Sequence, residues 1–309
     1  MNIPVIDFEG SSCERLSRRL ETAAALRAAF ESIGFLYLRN HGVPVSVLDA
    51  VLAQSRAFFG LSQEGKLAVR PPTKGSTRGY GAVASQALDE KRPGDLKEIF
   101  QAGPERPGAR ANVWPEGLAG FREAVLAFQK AAMETCNQLM RAIAVSLGLP
   151  EAYFEPYHDR SDCTARLLHY PPLPANPLPG QMRAGAHTDF GGLSLLFPDG
   201  KGGLEIRGPE GIWIPAPALP DMAILNTGDL LERWTNGKFR SSPHRVVNPV
   251  GPAAERDRYS VVLFHSPNPD AVIECLAPCR SPGLEPKYPP ITAGEHMLQR
   301  IRASRPDGY

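Results

Sequence analysis

The chain has 309 residues, a formal net charge of +1, 42% hydrophobic residues and 22% charged residues. This composition is typical of a globular protein with enough apolar side chains for one large core. No basic run is long enough to follow a phosphate backbone, which argues against a nucleic-acid partner. No apolar run approaches the roughly 18 residues that span a membrane, which argues against a membrane protein.

The amino terminus and the cysteines predict a cytoplasmic location. Residues 1–7 lack the basic and apolar regions of a signal peptide. The five cysteines are an odd number and are scattered along the chain, except that Cys275 and Cys279 lie four positions apart. Because no second pair accompanies these two, a zinc site is disfavoured and reduced thiols are expected.

The first part of the chain predicts alternating strands and helices. A strand is expected at residues 3–8 and another at Phe35–Leu38. Between them, apolar residues recur at helical spacing from Ser12 onward, and Gly34 is the expected C-cap of that helix.

Two more helices and a loop are expected before residue 148. Ser46 is a candidate N-cap for the second helix. Residues 71–95 are rich in Gly, Pro, Lys and Arg and predict a loop. A long amphipathic helix is expected from Glu116 to Leu147, followed by Gly148.

After Gly148 the pattern changes to short apolar runs separated by Gly and Pro, which is typical of a β-sandwich or barrel. The predicted strands are Ala165–Tyr170, Leu193–Phe197, Leu204–Ile206, Ile212–Pro215, Met222–Asn226, Arg245–Asn248 and Tyr259–His265. The predicted fold is therefore a mainly β core with flanking helices. Residues 116–309 are expected to form the β domain with its long helix, and residues 1–115 an α/β region packed on it as part of one compact unit.

His187-Thr188-Asp189 contains two possible metal ligands two positions apart, which point to the same face of an extended segment. His244, 57 positions later, can supply a third ligand. Two imidazoles and one carboxylate on one face of an octahedron leave three positions open, as a non-haem iron oxygenase requires. A His-x-Asp sequence is also common in surface turns, so the spacing alone leaves both interpretations open.

Arg258-Tyr259-Ser260 places a guanidinium and a hydroxyl on one face of a predicted strand, 14 residues after His244. A planar guanidinium with a hydroxyl beside it suits a carboxylate. The alternatives are a surface salt bridge for Arg258 and a buried core hydroxyl for Ser260. Neither alternative explains why the two side chains share a face downstream of a candidate ligand.

These segments resemble the isopenicillin N synthase-like family of iron(II)- and 2-oxoglutarate-dependent dioxygenases over nearly the whole chain. The similar segments are Ile3–Phe8, Gly34–Pro44, His187–Gly191, Asn226–Leu231, Ser242–Val246 and Arg258–Ser260. The resemblance implies a double-stranded β-helix, which is a jelly-roll, cupin-like fold. It also implies that His187, Asp189 and His244 bind Fe(II), and that Arg258 and Ser260 hold the distal carboxylate of 2-oxoglutarate.

One segment departs from the family's pattern. Plant-type members often carry Asn-x-Tyr where this chain has Leu168-His169-Tyr170. The resemblance implies that Tyr170 contacts 2-oxoglutarate. Because Leu168 stands where Asn is expected, the partner of the iron-side carboxylate is left open.

Four further residues are candidate substrate contacts. Arg78 and Tyr80 lie in a segment that resembles the family's substrate-side lid, although a loop arginine is usually solvated. Arg166, two residues before Leu168, can point into the same cavity or form a structural salt bridge. Phe264 can contact substrate or belong to the core.

The resemblance implies an oxidoreductase that hydroxylates or desaturates a small organic molecule while 2-oxoglutarate and O2 become succinate and CO2. Fe(II) is the expected metal. One alternative is an iron oxidase of the same fold that takes its electrons from the substrate without 2-oxoglutarate. Another is a non-enzymatic barrel that binds a small molecule. The sequence predicts neither the prime substrate nor the number of subunits.

Overall fold

The computed structural model describes residues 2–9, 15–71, 76–89 and 91–304. None of the helices in these ranges is both long enough and apolar enough to cross a bilayer. The helices are α1 Leu16–Ser32, α2 Val45–Phe59, α3 Gln63–Leu67, α4 Phe121–Ser146, α5 Asp229–Trp234 and α6 Ala293–Ala303. The strands are β1 Val5–Asp7, β2 Phe35–Arg39, β3 Gly79–Gly81, β4 Glu98–Ala102, β5 Thr164–Tyr170, β6 Ala184–His187, β7 Leu193–Pro198, β8 Leu204–Arg207, β9 Trp213–Pro215, β10 Met222–Thr227, β11 His244–Val246, β12 Arg258–His265, β13 Val272–Ile273 and β14 Ile291–Thr292.

Two sheets form the β core. The larger sheet has eight strands in the order β1-β2-β10-β7-β12-β5-β4-β3, and the smaller has four in the order β6-β11-β8-β9. Strands β1 and β2 are parallel, and the other pairs are antiparallel. Strands from before and after residue 115 therefore share one sheet. The division of the chain into two regions at that residue stays a prediction.

The larger sheet buries both of its faces. In β2, Leu36 and Leu38 belong to a core that includes residues of α1, α2 and α4, whereas Phe35 and Tyr37 belong to a second core. The second core also contains residues of the smaller sheet, so it lies between the two sheets. A strand buried on both faces reads as a continuous apolar run, which is why Phe35–Leu38 shows no alternation of polar and apolar residues.

Most of the predicted elements are present, and each of the seven strands predicted after Gly148 overlaps an observed strand. Helix α1 is followed by Gly34, as predicted, which has φ +72° and donates its N–H to the carbonyl of Ala29. A Cβ at position 34 would lie 2.1 Å from the Arg240 carbonyl oxygen, so only glycine fits there. The predicted start of this helix at Ser12 lies outside the described residues.

Several predicted boundaries are wrong. Helix α2 begins at Val45, after Pro44, and Ser46 is not its N-cap; among the described side chains none caps this helix. Proline at the N-cap position, with φ −62°, presets the backbone for the helix that follows. The segment 71–95 was expected to be a loop but contains β3, and helix α4 begins only at Phe121 because Gly120 has a left-handed φ of +79°. Residues 72–75 and 90 lie outside the described ranges.

The cysteines that the structure describes are buried free thiols, which agrees with the predicted reduced state. They are Cys136, Cys163, Cys275 and Cys279. Cys13 lies outside the described residues.

Two histidines stack on each other at the end of β12, where His265 is buried and His158 is half-buried. The rings of His158 and His265 have centroids 4.6 Å apart and planes 11° apart. Within the described part of the chain, His158 Nε2 and His265 Nδ1 have no hydrogen-bond partner. Burial lowers the pKa of His158 to about 4, and burial together with His158 lowers the pKa of His265 well below its usual range. Both rings are therefore neutral in the folded protein near pH 6.

The free energy of unfolding is expected to fall as the pH drops from about 6.5 towards 4. In that range the unfolded chain takes up protons on these histidines whereas the folded chain does not, so acid favours unfolding. The lowered pKa of His158 alone corresponds to a loss of about 3 kcal/mol in the free energy of unfolding over this pH range. Urea unfolding at a series of pH values measures the effect. A His158→Phe variant keeps a stacked ring and is expected to lose stability less steeply in acid; equal slopes for variant and wild type would contradict the assignment.

Candidate metal centre and its cavities

The two histidine ligands predicted from the sequence face each other across a strand pair. His187 is the last residue of β6 and His244 the first of β11, and the antiparallel register places them opposite one another. Their ring centroids are 4.3 Å apart. The Oδ1 atom of Asp189 lies 3.9 Å from His187 Nε2 and 3.8 Å from His244 Nε2. One ligand atom from each residue lies within 4.8 Å of the others, so the three side chains can share one metal ion.

Hydrogen bonds outside this triad orient its ligand atoms. His187 Nδ1 lies 2.8 Å from the Gly185 carbonyl oxygen, and His244 Nδ1 lies 3.2 Å from that of Ser242. An Nδ1–H that donates to a carbonyl leaves the lone pair of Nε2 for the metal. Asn226 donates to Asp189 Oδ2 at 2.7 Å, which leaves Oδ1 facing the histidines. Asn226 was not singled out as a site residue, although it begins the Asn226–Leu231 segment.

The surroundings favour the ionised form of Asp189 and the neutral form of His187, which are the forms that bind a metal. Burial would raise the pKa of Asp189, but the two nearby imidazoles and the hydrogen bond from Asn226 outweigh it and lower the pKa. Burial, and then the charge of His244, lower the pKa of His187 well below its usual range. A carboxylate and two imidazoles form a donor set that suits ferrous iron, and three protein ligands leave further coordination positions for other molecules.

Two cavities meet at these ligands. His187 and Asp189 line both an inner cavity of about 70 Å³ and an outer cavity of about 300 Å³. The inner cavity lies between the two sheets, because its wall includes Phe35, Leu168 and Val246 from both of them. A metal held by the triad would therefore be reached from two separate spaces.

The inner cavity contains the predicted carboxylate-binding pair. Arg258 and Ser260 line it and are 2% and 1% exposed. The Arg258 guanidinium lies 4.7 Å from the centre of the Tyr170 ring, because these residues are opposite each other in the β12–β5 register. Its Nε donates to the Gly202 carbonyl at 2.8 Å, whereas its buried Nη1 has no hydrogen-bond partner among the described residues. A buried donor without a partner indicates a missing acceptor, and the carboxylate of 2-oxoglutarate fits that need.

One wall of the outer cavity is formed by strands and carries polar side chains, and another is formed by a helix and is apolar. Arg166 and Phe264 line both cavities, and the Arg166 guanidinium lies 4.6 Å from the centre of the Phe264 ring. Arg166 Nε donates to Gln101 Oε1 at 2.9 Å, which holds the guanidinium in place. The opposite wall comes from α6 and includes Met297, Leu298 and Ile301. Neither Gln101 nor α6 was expected at the site, because both lie outside the motif segments.

Arg78 and Tyr80 lie elsewhere than a substrate lid would place them. Arg78 is 1% exposed, forms an ion pair with Asp162 and donates to Thr164 Oγ1 at 2.8 Å. Both of these partners line the outer cavity, so Arg78 supports its wall from behind. Tyr80 belongs to the core on the helix side and donates its hydroxyl to Glu98 Oε2 at 2.6 Å.

The other histidines serve structural roles. His41 accepts a hydrogen bond from the Val43 N–H within a turn. His169 lies within β5, where its two ring nitrogens are each 2.7 Å from a carboxylate oxygen, one of Glu98 and one of Asp257.

Comparison with known proteins agrees with this geometry. Residues 161–267 match the 2OG-Fe(II) oxygenase superfamily, and residues 3–117 match the family described as non-haem dioxygenase in morphine synthesis N-terminal. The chain is 32% identical to the 2-oxoglutarate-Fe(II) type oxidoreductase hxnY of Emericella nidulans, covering 96% of this chain and 88% of that protein. It is 34% identical to the proline hydroxylase buaE of Petromyces alliaceus, covering 97% and 99%.

A solved structure with bound molecules is also similar. A full-length protein of Neurospora crassa, solved in complex with alpha-KG (2-oxoglutarate) and 5-formyluracil, superposes with a TM-score of 0.88 at 36% identity, covering 97% of this chain and 96% of that one. Fold and site together thus define a non-haem iron oxygenase with a double-stranded β-helix core. The chain belongs to the 2OG-Fe(II) oxygenase superfamily. It is a dioxygenase that uses Fe(II), 2-oxoglutarate and O2. The comparisons therefore support the predicted activity over the two alternatives, an oxidase that does not use 2-oxoglutarate and a non-enzymatic binding barrel.

Proposed function

We propose that His187, Asp189 and His244 bind the iron of this dioxygenase. The observation that carries the proposal is the convergence of their three ligand atoms, within 4.8 Å, where the two cavities meet. Bound iron and 2-oxoglutarate supply the oxidising chemistry, in which 2-oxoglutarate and O2 become succinate and CO2 while a C–H bond of the substrate is hydroxylated or a C–C bond is desaturated. The protein residues bind the partners, orient them and shield them from water.

We propose that the inner cavity binds 2-oxoglutarate through Arg258, Ser260 and Tyr170. The guanidinium is buried and has a donor without a partner, and a carboxylate can accept parallel hydrogen bonds from such a group. The Ser260 hydroxyl lies on the same face of β12, two residues along, and can donate to the same carboxylate. The Tyr170 ring packs against the guanidinium and fixes its plane.

We propose that the outer cavity binds the prime substrate, a small organic molecule with a flat ring and carbonyl or carboxylate acceptors. Its volume of about 300 Å³ suits a small molecule. Phe264 offers an aromatic surface, and Arg166, held by Gln101, offers donors to acceptor atoms beside it. The similarity to the Neurospora crassa protein supports this class, because 5-formyluracil is a flat ring with carbonyl groups.

We also propose that the protein acts in the cytoplasm on small molecules rather than on nucleic acid or membranes. The four buried free thiols support a reducing compartment. Cavity volumes of about 300 and 70 Å³ support a small substrate over a macromolecule.

Succinate release coupled to substrate oxidation tests the function. The protein with Fe(II), 2-oxoglutarate and O2 is expected to release succinate faster when a flat carbonyl-bearing ring compound is added, and mass spectrometry should show a product that has gained one oxygen or lost two hydrogens. Ring compounds without carbonyl groups serve as controls for the substrate class. Product formed without succinate would instead identify an oxidase that does not use 2-oxoglutarate.

A further inference from the structure

Gln86 places a buried amide group in the wall of the outer cavity. The residue lines that cavity and is 8% exposed. Its Oε1 is buried without a hydrogen-bond partner, and its amide nitrogen likewise forms no hydrogen bond with a described residue. Burial of a polar group without a hydrogen bond is costly, so an amide of this kind in a cavity wall indicates a partner that a ligand supplies.

The backbone on both sides of the Gln86 side chain is fixed. The Gln86 carbonyl oxygen accepts a hydrogen bond of 2.8 Å from the N–H of Asp95, and the N–H of Ala87 donates to the Ser304 carbonyl at 3.3 Å. Ser304 directly follows α6 and also lines the outer cavity. The loop is therefore held between the segment before β4 and the end of α6 by its backbone alone, and the Gln86 amide is not needed to hold it.

A second glutamine in the same wall shows the contrast. Gln101 lines the outer cavity, but both ends of its amide are used within the protein. Its Nε2 donates to the Thr77 carbonyl at 2.7 Å, and its Oε1 accepts from Arg166 Nε at 2.9 Å. Gln101 therefore supports the wall, whereas Gln86 has both ends of its amide available for a ligand.

The amide of Gln86 offers chemistry that Arg166 lacks. A guanidinium only donates hydrogen bonds, whereas a carboxamide presents an acceptor and a donor side by side. Asp162, another acceptor in this wall, is paired with Arg78 and Arg110. A ring in which an N–H stands next to a carbonyl, which is a cyclic amide, presents the donor and acceptor that complement a carboxamide, so the two groups can form a pair of parallel hydrogen bonds.

We propose that Gln86 is a specificity-determining residue that recognises a cyclic amide edge of the prime substrate, accepting a hydrogen bond from a ring N–H and donating one to the adjacent ring carbonyl. This inference rests on the proposed role of the outer cavity. It narrows the substrate class from a flat ring with acceptors to a flat ring that also carries an N–H donor. Arg166 then donates to a further acceptor of the same molecule.

Binding of matched ring compounds tests the proposed edge. Uracil, 2-pyridone and 2-quinolone each carry a ring N–H beside a carbonyl, and their fully N-methylated counterparts keep the ring and the carbonyl but lose every N–H. Dissociation constants for the protein loaded with Fe(II) and 2-oxoglutarate are measured anaerobically by calorimetry and from the change in the visible absorption band. The wild-type protein is expected to bind N–H compounds about 5- to 100-fold more tightly than methylated ones, the range for leaving a buried polar group without a partner.

Substitutions at Gln86 separate the hydrogen bonds from the size of the added methyl group. Gln86→Met keeps the length of the side chain without its polar atoms, and is expected to weaken N–H compounds by about 5- to 100-fold while leaving methylated ones unchanged. Gln86→Glu keeps an acceptor and is expected to bind N–H compounds more tightly than Gln86→Met does. Succinate release without added substrate should stay at the wild-type rate in both variants, which shows that the co-substrate site is intact.

Gln129 provides a matched control for the loss of a buried glutamine amide. It is 4% exposed, lies on α4 and donates to the Cys163 carbonyl at 3.0 Å, and it is not among the described residues that line the outer cavity. Gln129→Met should leave the dissociation constants of both series unchanged.

The outcomes distinguish this inference from the proposed function. No weakening in Gln86→Met, or equal weakening of N–H and methylated compounds, would overturn the inference but leave the outer cavity as the substrate site. Weaker binding of N–H compounds to Gln86→Glu than to Gln86→Met would also overturn it, because Gln86 would then act only as a donor. If Gln86→Met does not fold, wild-type protein that binds both series equally has the same consequence. If neither series bound to the wild-type protein, the proposed substrate class would fail as a whole.

Discussion

Replacement of Asp189 by alanine is expected to remove the iron and with it the release of succinate. Asp189 supplies the one carboxylate of the triad, and its Oδ1 lies within 3.9 Å of both imidazoles. Loss of residues that only support a ligand costs about 10- to 100-fold in metal affinity or activity, so loss of a ligand should exceed that range. The measurements are the iron content after dialysis and the rate of succinate release.

Asp49→Ala is the matched control, because Asp49 is an exposed carboxylate on α2 and should keep full iron content. A protein that only bound a small molecule would tolerate the loss of Asp189. Wild-type iron content and turnover in Asp189→Ala would therefore show that the three side chains do not form the catalytic metal site.

Replacement of Arg258 by methionine is expected to raise the KM for 2-oxoglutarate by about 100- to 1000-fold, the cost of two charge-assisted hydrogen bonds. The guanidinium is buried and already oriented by Gly202 and Tyr170, so a lysine at this position should restore little of the affinity. Ser260→Ala removes a single hydroxyl and should have a smaller effect in the same direction. Initial rates of succinate formation over a range of 2-oxoglutarate concentrations measure both variants.

Arg256 provides the control for Arg258, because it lies two residues earlier and its side chain is exposed. Arg256→Met should leave the KM for 2-oxoglutarate unchanged. Equal effects of the two substitutions would point to the general charge of the region rather than to a specific contact.

The metal ligands could be proposed from the sequence because two of them are local. His187 and Asp189 are two positions apart, and any extended segment brings them to one side. His244 is different, since it depends on the pairing of β6 with β11 across 57 positions, which neither spacing nor hydrophobicity encodes. Only the resemblance of the surrounding segments to a known family placed it at the site.

Other parts of the site depend on long-range pairing without a local signal. Lys97 reads as one charge in a polar segment, and it reaches the wall of the inner cavity only because β4 joins β5 about 70 positions later. Tyr80 was placed in a lid by the resemblance of its segment to the family's substrate-side lid, and the pairing of β3 with β4 turns its ring into the helix-side core. Because both faces of the larger sheet are buried, its strands lack the alternation of polar and apolar residues that would distinguish the two faces in the sequence.

Helix α6 forms part of the wall of the outer cavity but supplies none of the three proposed metal ligands. It can therefore influence which substrate binds without changing the site of oxidation. This helix begins with a capping box formed by Thr292 and Glu295, and Arg300 anchors it beside the metal ligands by stacking on Phe190 at 4.7 Å and donating to Thr188 Oγ1 at 3.2 Å. Exchange of Met297, Leu298 or Ile301 would reshape the entrance without altering any ligand atom. Divergence confined to this terminal segment is thus a simple route by which an ancestral scaffold could acquire new specificities while retaining its reaction.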